Sequence, residues 1–163
     1  MTLNEDTYVT EQEATDYINK YYPRLDNVAC YFKALSSEDK KSYLMQSAYQ
    51  IDSLLIVGKK YDKKQSMEFP RRNCYKDGPE VPEEVKYAQI ENALGLLEEH
   101  MSKRSDEQIM IMSSLGMAKN IKYNKREMGN VGLSESVTDV AVHKYKRLAS
   151  EDAEKLLRPW IGG

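Results

Sequence analysis

The sequence predicts a mainly α-helical chain: a small bundle of about four helices, with a long extended arm or β-hairpin between the third helix and the last. Three observations predict it. Apolar residues recur three and four apart behind good N-cap residues. Proline and glycine fall between those stretches. From Met117 to Val142 the texture changes to alternation broken by glycine.

Thr10 to Glu13 (TEQE) reads as a capping box, with the Thr hydroxyl and the Glu carboxylate each answering a backbone N–H of the first turn. Ala14, Tyr17, Ile18 and Tyr21 follow at helical spacing, and Pro23 ends the first helix. Ser36, Ser37, Glu38 and Asp39 start a second, whose stripe is Leu44, Ala48, Ile51 and Leu55. Gly58 is its expected stop, and Lys59, Lys60, Lys63 and Lys64 then lie near the negative end of the helix dipole. Pro70, Gly78, Pro79 and Pro82 forbid a helix from 69 to 82. Pro82 suits the first turn of a third helix, with Glu83 and Glu84 at its positive end. Tyr87, Ile90, Leu94, Leu97 and Met101 form its stripe, widened by Ala93. SKRSDEQ, from Ser102, reads as a polar break. The last helix starts near Ser150, runs through Ala153, Leu156 and Leu157, and stops at Arg158-Pro159.

The chain of 163 residues suits a single domain over 1–163, with a helical core at about 10–101 and 150–158 and an extended arm at about 117–142. Tyr is the unusual residue, 12 against 2 Phe and 1 Trp, and its polar tip suits half-buried positions and interfaces. The net charge of -2 marks neither a nucleic-acid protein nor an acidic tail. Cys30 and Cys74 lack a C-x-x-C spacing, and His100 and His143 lie far from them, which points to reduced thiols rather than a structural metal site. No apolar run reaches the roughly 18 residues of a membrane span. The polar first ten residues do not read as a signal peptide, which points to synthesis in a cytoplasm.

No enzyme signature is present. There is no nucleophile elbow, no H-E-x-x-H, no phosphate-cradling glycine loop and no dinucleotide fingerprint. The pairs Glu83-Glu84 and Glu98-Glu99 are adjacent, so on a helix their members diverge and form no acid–base couple. The expectation is a protein without enzymatic activity, cofactor or metal. Between Lys119 and Arg147 seven basic residues stand against three acidic ones, with Tyr123 and Tyr145 interleaved. Aromatics among bases can stack nucleobases and neutralise phosphates. Leu156, Leu157, Trp160 and Ile161 place a large apolar group near the end of the sequence, and burying each Leu or Trp is worth roughly 2 kcal/mol. They either fold back on the chain's own core or dock on a partner.

Several segments together resemble the phage head–tail adaptor (head-completion, connector) proteins, in the branch labelled DnaT-like single-stranded-DNA-binding. They are Tyr8-Val9-Thr10-Glu11-Gln12-Glu13-Ala14 with Tyr17, then Ala34-Leu35-Ser36, then Gln65, Met67, Phe69, Pro70 and Arg71. Val81-Pro82-Glu83-Glu84-Val85 with Ala88, and Leu156-Leu157-Arg158-Pro159-Trp160, complete the set. The resemblance implies a helical bundle with an extended arm, assembled as a ring of roughly twelve copies beneath the portal at the virion's head–tail interface. Tail-side stopper or completion proteins would dock below, and DNA would pass through with transient, non-specific contact. It implies portal binding by Leu156, Leu157, Arg158, Trp160 and Ile161. It also points to a core clasp formed by Gln65, Phe69, Pro70 and Arg71. Lys119, Lys122, Tyr123, Lys125 and Arg126 would line the DNA channel or an intersubunit arm. The alternative function is a single-stranded-DNA-binding replication accessory protein.

Overall fold

The computed structural model describes residues 5–72, 79–114 and 148–161, with the backbone alone described for 105–114. Among these residues lie five helices and one two-stranded antiparallel ribbon. They are α1 (Glu11–Tyr21), α2 (Asn27–Ala34), α3 (Ser37–Asp52), β1 (Lys59–Lys60), β2 (Arg71–Arg72), α4 (Glu83–Ser114) and α5 (Glu151–Leu157). The chain is mainly helical with a hairpin. That hairpin joins α3 to α4, with Lys59 opposite Arg72 and Lys60 opposite Arg71. The arm expected at 117–142 lies outside the described residues.

Residues Met1–Glu99 and Leu148–Gly163 form one compact unit, and His100–Arg147 form another. In the first unit the helix starts follow their side chains. Thr10 and Glu13 make both halves of the capping box: the Glu13 N–H donates to Thr10 Oγ1 (3.2 Å) and the Thr10 N–H to Glu13 Oε2 (2.7 Å). Ser36 and Ser150 cap α3 and α5. Asp26 caps α2 by accepting from the Ala29 N–H at 2.8 Å, and the helix buries Ala29 and Phe32. This short helix was not expected, because eight residues between Pro23 and Ser36 show no repeated stripe.

Three sequence expectations change. α3 ends at Asp52, so Leu44, Ala48 and Ile51 are buried while Leu55 stands 71% exposed. The lysines from Lys59 onward consequently belong to the hairpin, where Lys60 pairs with Glu68 at 3.2 Å, and not to a helix terminus. SKRSDEQ is no break either: α4 continues through it to Ser114. Polarity alone does not stop a helix, and the segment holds neither proline nor glycine.

α4 is surrounded where it crosses the first unit. From Ala88 to Leu94 every residue is buried, including Gln89, Glu91 and Asn92. Gln89 uses its whole amide. Nε2 donates to Thr7 Oγ1 and to the Leu44 carbonyl, both at 2.7 Å, and Oε1 accepts from the Tyr8 N–H at 2.9 Å. Asn92 donates to Ser47 Oγ (3.2 Å) and Gln50 Oε1 (2.8 Å) and accepts from the Ala149 N–H (2.7 Å). These two amides tie the N-terminal segment, α3 and the returning chain before α5 to one helix.

The returning chain comes within backbone distance of α4 at Gly95. A Cβ there would stand 2.8 Å from the Ala149 carbonyl carbon and 2.9 Å from its oxygen. Gly95→Ala gains about 1 kcal/mol of helix propensity. It is nevertheless expected to destabilise the protein by about 1 to 3 kcal/mol, because backbone must shift. Urea denaturation checks this; a variant more stable than the parent would show that the close approach is not a constraint.

Candidate functional site

The segment QSMEFPRR runs from the hairpin loop into its second strand. Its Phe69 is 1% exposed and makes edge-to-face contact with two rings, Tyr8 at 5.8 Å and Trp160 at 5.4 Å. Those rings come from opposite ends of the described chain, so one side chain joins both to the hairpin. The Phe69–Pro70 peptide is cis. The Phe69 N–H donates to the Tyr8 hydroxyl (3.2 Å), which itself donates to Asp52. The Glu68 N–H donates to the other Asp52 oxygen at 3.3 Å. Burial raises the Asp52 pKa, opposed by those two donors. Burial, and then the carboxylate, push the Tyr8 phenol far above its ordinary range.

Arg71, 8% exposed, closes the loop from the other side. Its guanidinium donates to the carbonyls of Ile56 (3.1 Å), Val57 (3.2 Å) and Gly58, and forms an ion pair with Glu68. A planar fork of five N–H groups suits this set; an ammonium does not. Gly58 has φ 94°, the left-handed conformation that glycine adopts without a Cβ clash. Gln65 Nε2 donates to the carbonyls of Met67 and Pro70, both at 2.9 Å, and Oε1 accepts from the Asp62 N–H. Gln65, Phe69, Pro70 and Arg71 thus meet in one latch.

The C-terminal residues meet the same latch. Leu157 and Trp160 are 1% and 3% exposed and fill the core. The Val57 N–H donates to the Trp160 carbonyl at 2.8 Å, and Ile56 bridges Ile161. Leu156 and Ile161 are half-buried and Arg158 is exposed. The predicted arm residues Lys119, Lys122, Tyr123, Lys125 and Arg126, together with His143 and Cys74, lie outside the described residues. Cys30 is exposed and in no disulfide. Among the described residues no group of three or more His, Cys, Asp or Glu could hold a metal ion, and no helix is long and apolar enough to cross a membrane.

Sequence reasoning missed a tyrosine cluster. Tyr17 and Tyr21 on α1 lie 4.7 Å apart between ring centroids, and Tyr87 on α4 lies 4.8 Å from Tyr17 and 6.0 Å from Tyr21. The Tyr17 and Tyr22 hydroxyls donate to the two oxygens of buried Glu91 at 2.7 and 2.6 Å. Burial, then the Glu91 carboxylate, raise both phenols. The signal in the sequence was the surplus of Tyr over Phe, which marks positions needing a ring and a donor together.

These features define a small helical scaffold whose apolar ends close on a proline-containing latch. The chain belongs to the family described as "Putative DnaT-like ssDNA binding protein", which matches residues 1–162. No curated protein and no solved structure matches the chain.

Phe69→Ala and Trp160→Ala are each expected to cost about 3 to 5 kcal/mol in urea denaturation. Deletion of 156–163 removes core, so the shortened chain should lose its cooperative transition; a normal melt would place the tail outside the core. The phenols predict an alkaline limit. Tyr8, Tyr17 and Tyr22 have folded pKa values above the ordinary 10.0. The stability they contribute is therefore whole below pH 10.0 and is lost as pH rises beyond it. In a spectroscopic titration the last phenolate absorbance should rise only as helical circular dichroism disappears. Complete ionisation of a still-helical protein would contradict this.

Proposed function

We propose that this chain is a structural virion protein, a head–tail connector that assembles as a ring beneath the portal, extends the DNA channel and docks tail-side completion proteins. One observation carries the reading. The core closes on both ends of the described chain, yet large apolar side chains stay outside on separate elements. Met45 and Tyr49, one turn apart on α3, are 38% and 76% exposed, and Leu55 follows at 71%. Leu25, ahead of α2, is 91% exposed and Tyr31 on α2 is 43% exposed. Scattered exposed hydrophobes are ordinary, but grouped ones mark interaction surfaces. A closed ring needs two different faces per copy, each meeting the other on a neighbour. The α3 group and the α2 group supply one such pair. The exposed Arg158 corner, with half-buried Leu156 and Ile161 beside it, is the part of the tail left for the portal. The work is mechanical and breaks no bond.

A second reading, single-stranded-DNA binding, is favoured by the family description and by the basic excess between Lys119 and Arg147. One experiment separates them. The purified chain is mixed with its candidate portal and imaged by electron microscopy, and separately titrated with an oligothymidylate at several salt concentrations. The connector reading expects an added annular layer on the portal. Tyr49→Asp with Leu55→Asp should abolish that layer while changing the melting temperature little, since both side chains are exposed. Tight oligonucleotide binding with a steep salt slope and no annulus would favour the second reading.

A further inference from the structure

Between α1 and the first turns of α4 lies a groove of about 270 Å³, whose lining includes Val9, Ile90 and the rings of Tyr17, Tyr21 and Tyr87. Its base is apolar, since Val9 and Ile90 are buried. The Tyr17 ring is held by its hydroxyl on Glu91, and Tyr21, 51% exposed, offers a ring to solvent.

Charge decides what the groove suits. Glu13 and Lys86 neutralise each other at 2.9 Å, and Glu13 also serves the α1 cap. Lys20 lies over the Tyr21 ring at 4.9 Å. Asp16 accepts from the neutral Gln12 amide (2.9 Å), and Glu83 accepts from the Tyr87 hydroxyl (3.5 Å) and lies within electrostatic reach of Lys20. Among the described residues neither carboxylate is in an ion pair. Three carboxylates thus face two ammonium groups, and the faces of the rings are electron-rich. A phosphate backbone would meet net repulsion here. A guanidinium would lie flat on an aromatic face, place its stem over the apolar base and give its fork to a carboxylate.

We propose that this groove is a docking site for an arginine-bearing peptide segment of a partner protein, with the guanidinium laid on Tyr21 and Tyr87 and paired with Glu83. The site is independent of the ring reading, because Tyr49 and Leu55, the positions that test assembly, do not line it.

The probe is a short fluorescent peptide carrying two arginines among prolines and alanines, compared with the same peptide carrying citrulline and with an oligothymidylate. The full chain should bind the arginine peptide about tenfold more tightly than the citrulline one, and less tightly as salt rises. Tyr21→Ala and Glu83→Gln should each weaken binding about fivefold without moving the melting temperature, since both side chains are on the surface. Lys20→Gln should not weaken it. The proposal is overturned by equal binding of the two peptides, by an unchanged Kd in Tyr21→Ala and Glu83→Gln, or by oligothymidylate binding that Lys20→Gln diminishes. Self-association lost in Tyr21→Ala, with no peptide binding, would assign the groove to a second copy and overturn the partner assignment.

Discussion

The first unit depends on two buried amides on one helix. Gln89 and Asn92 are fully buried, and every donor and acceptor on their side chains is used. Each hydrogen bond contributes about 1 kcal/mol net, whereas a buried polar atom left without a partner costs about 1 to 3 kcal/mol. The arrangement therefore tolerates little drift. The N-terminal segment, α3 and the chain entering α5 must sit where those amides require, or several buried groups lose partners at once. Apolar packing could bring the same elements together, but it would not specify their register against α4 so closely.

The aromatic latch is the second constraint, and it is built on the first. Once Gln89 holds the Tyr8 backbone, the Tyr8 ring reaches Phe69 and its hydroxyl reaches Asp52 at the end of α3. Once Asn92 holds Ala149, α5 is placed so that Leu157 and Trp160 complete the same cluster. Arg71 then ties the loop after α3 to the hairpin through three carbonyls. Hydrophobic burial supplies most of the stabilisation here, while the polar contacts choose which surfaces meet. The consequence for function is that a terminus rich in Leu and Trp is committed internally. The large apolar side chains that stay exposed lie outside this core, on α3, on α2 and ahead of it.

The tyrosines divide in the same way. Tyr8, Tyr17 and Tyr22 direct their hydroxyls to carboxylates on other elements, Asp52 or Glu91. Tyr21 and Tyr49 present rings to solvent. One residue type thus serves as internal cross-link and as surface contact, because a phenol can be buried at one end and polar at the other.

Much of this was legible in the residues. Thr10, Glu13, Ser36 and Ser150 carry helix starts in their own side chains, and Ala14, Leu44, Leu97 and Leu157 mark core faces by spacing alone. These are local effects, set within one or two turns, so they can be read from neighbouring residues alone, and with them the mainly helical class. Tertiary structure decided the rest. Gln89, Glu91 and Asn92 lie outside the apolar stripe of α4, and residues up to 82 positions away satisfy them. Leu55 read as core until α3 ended one turn earlier, and Gly95 showed no role until Ala149 lay against it. In each case the deciding partner is distant along the chain, and no periodicity within a segment reports which distant backbone or side chain will arrive beside it.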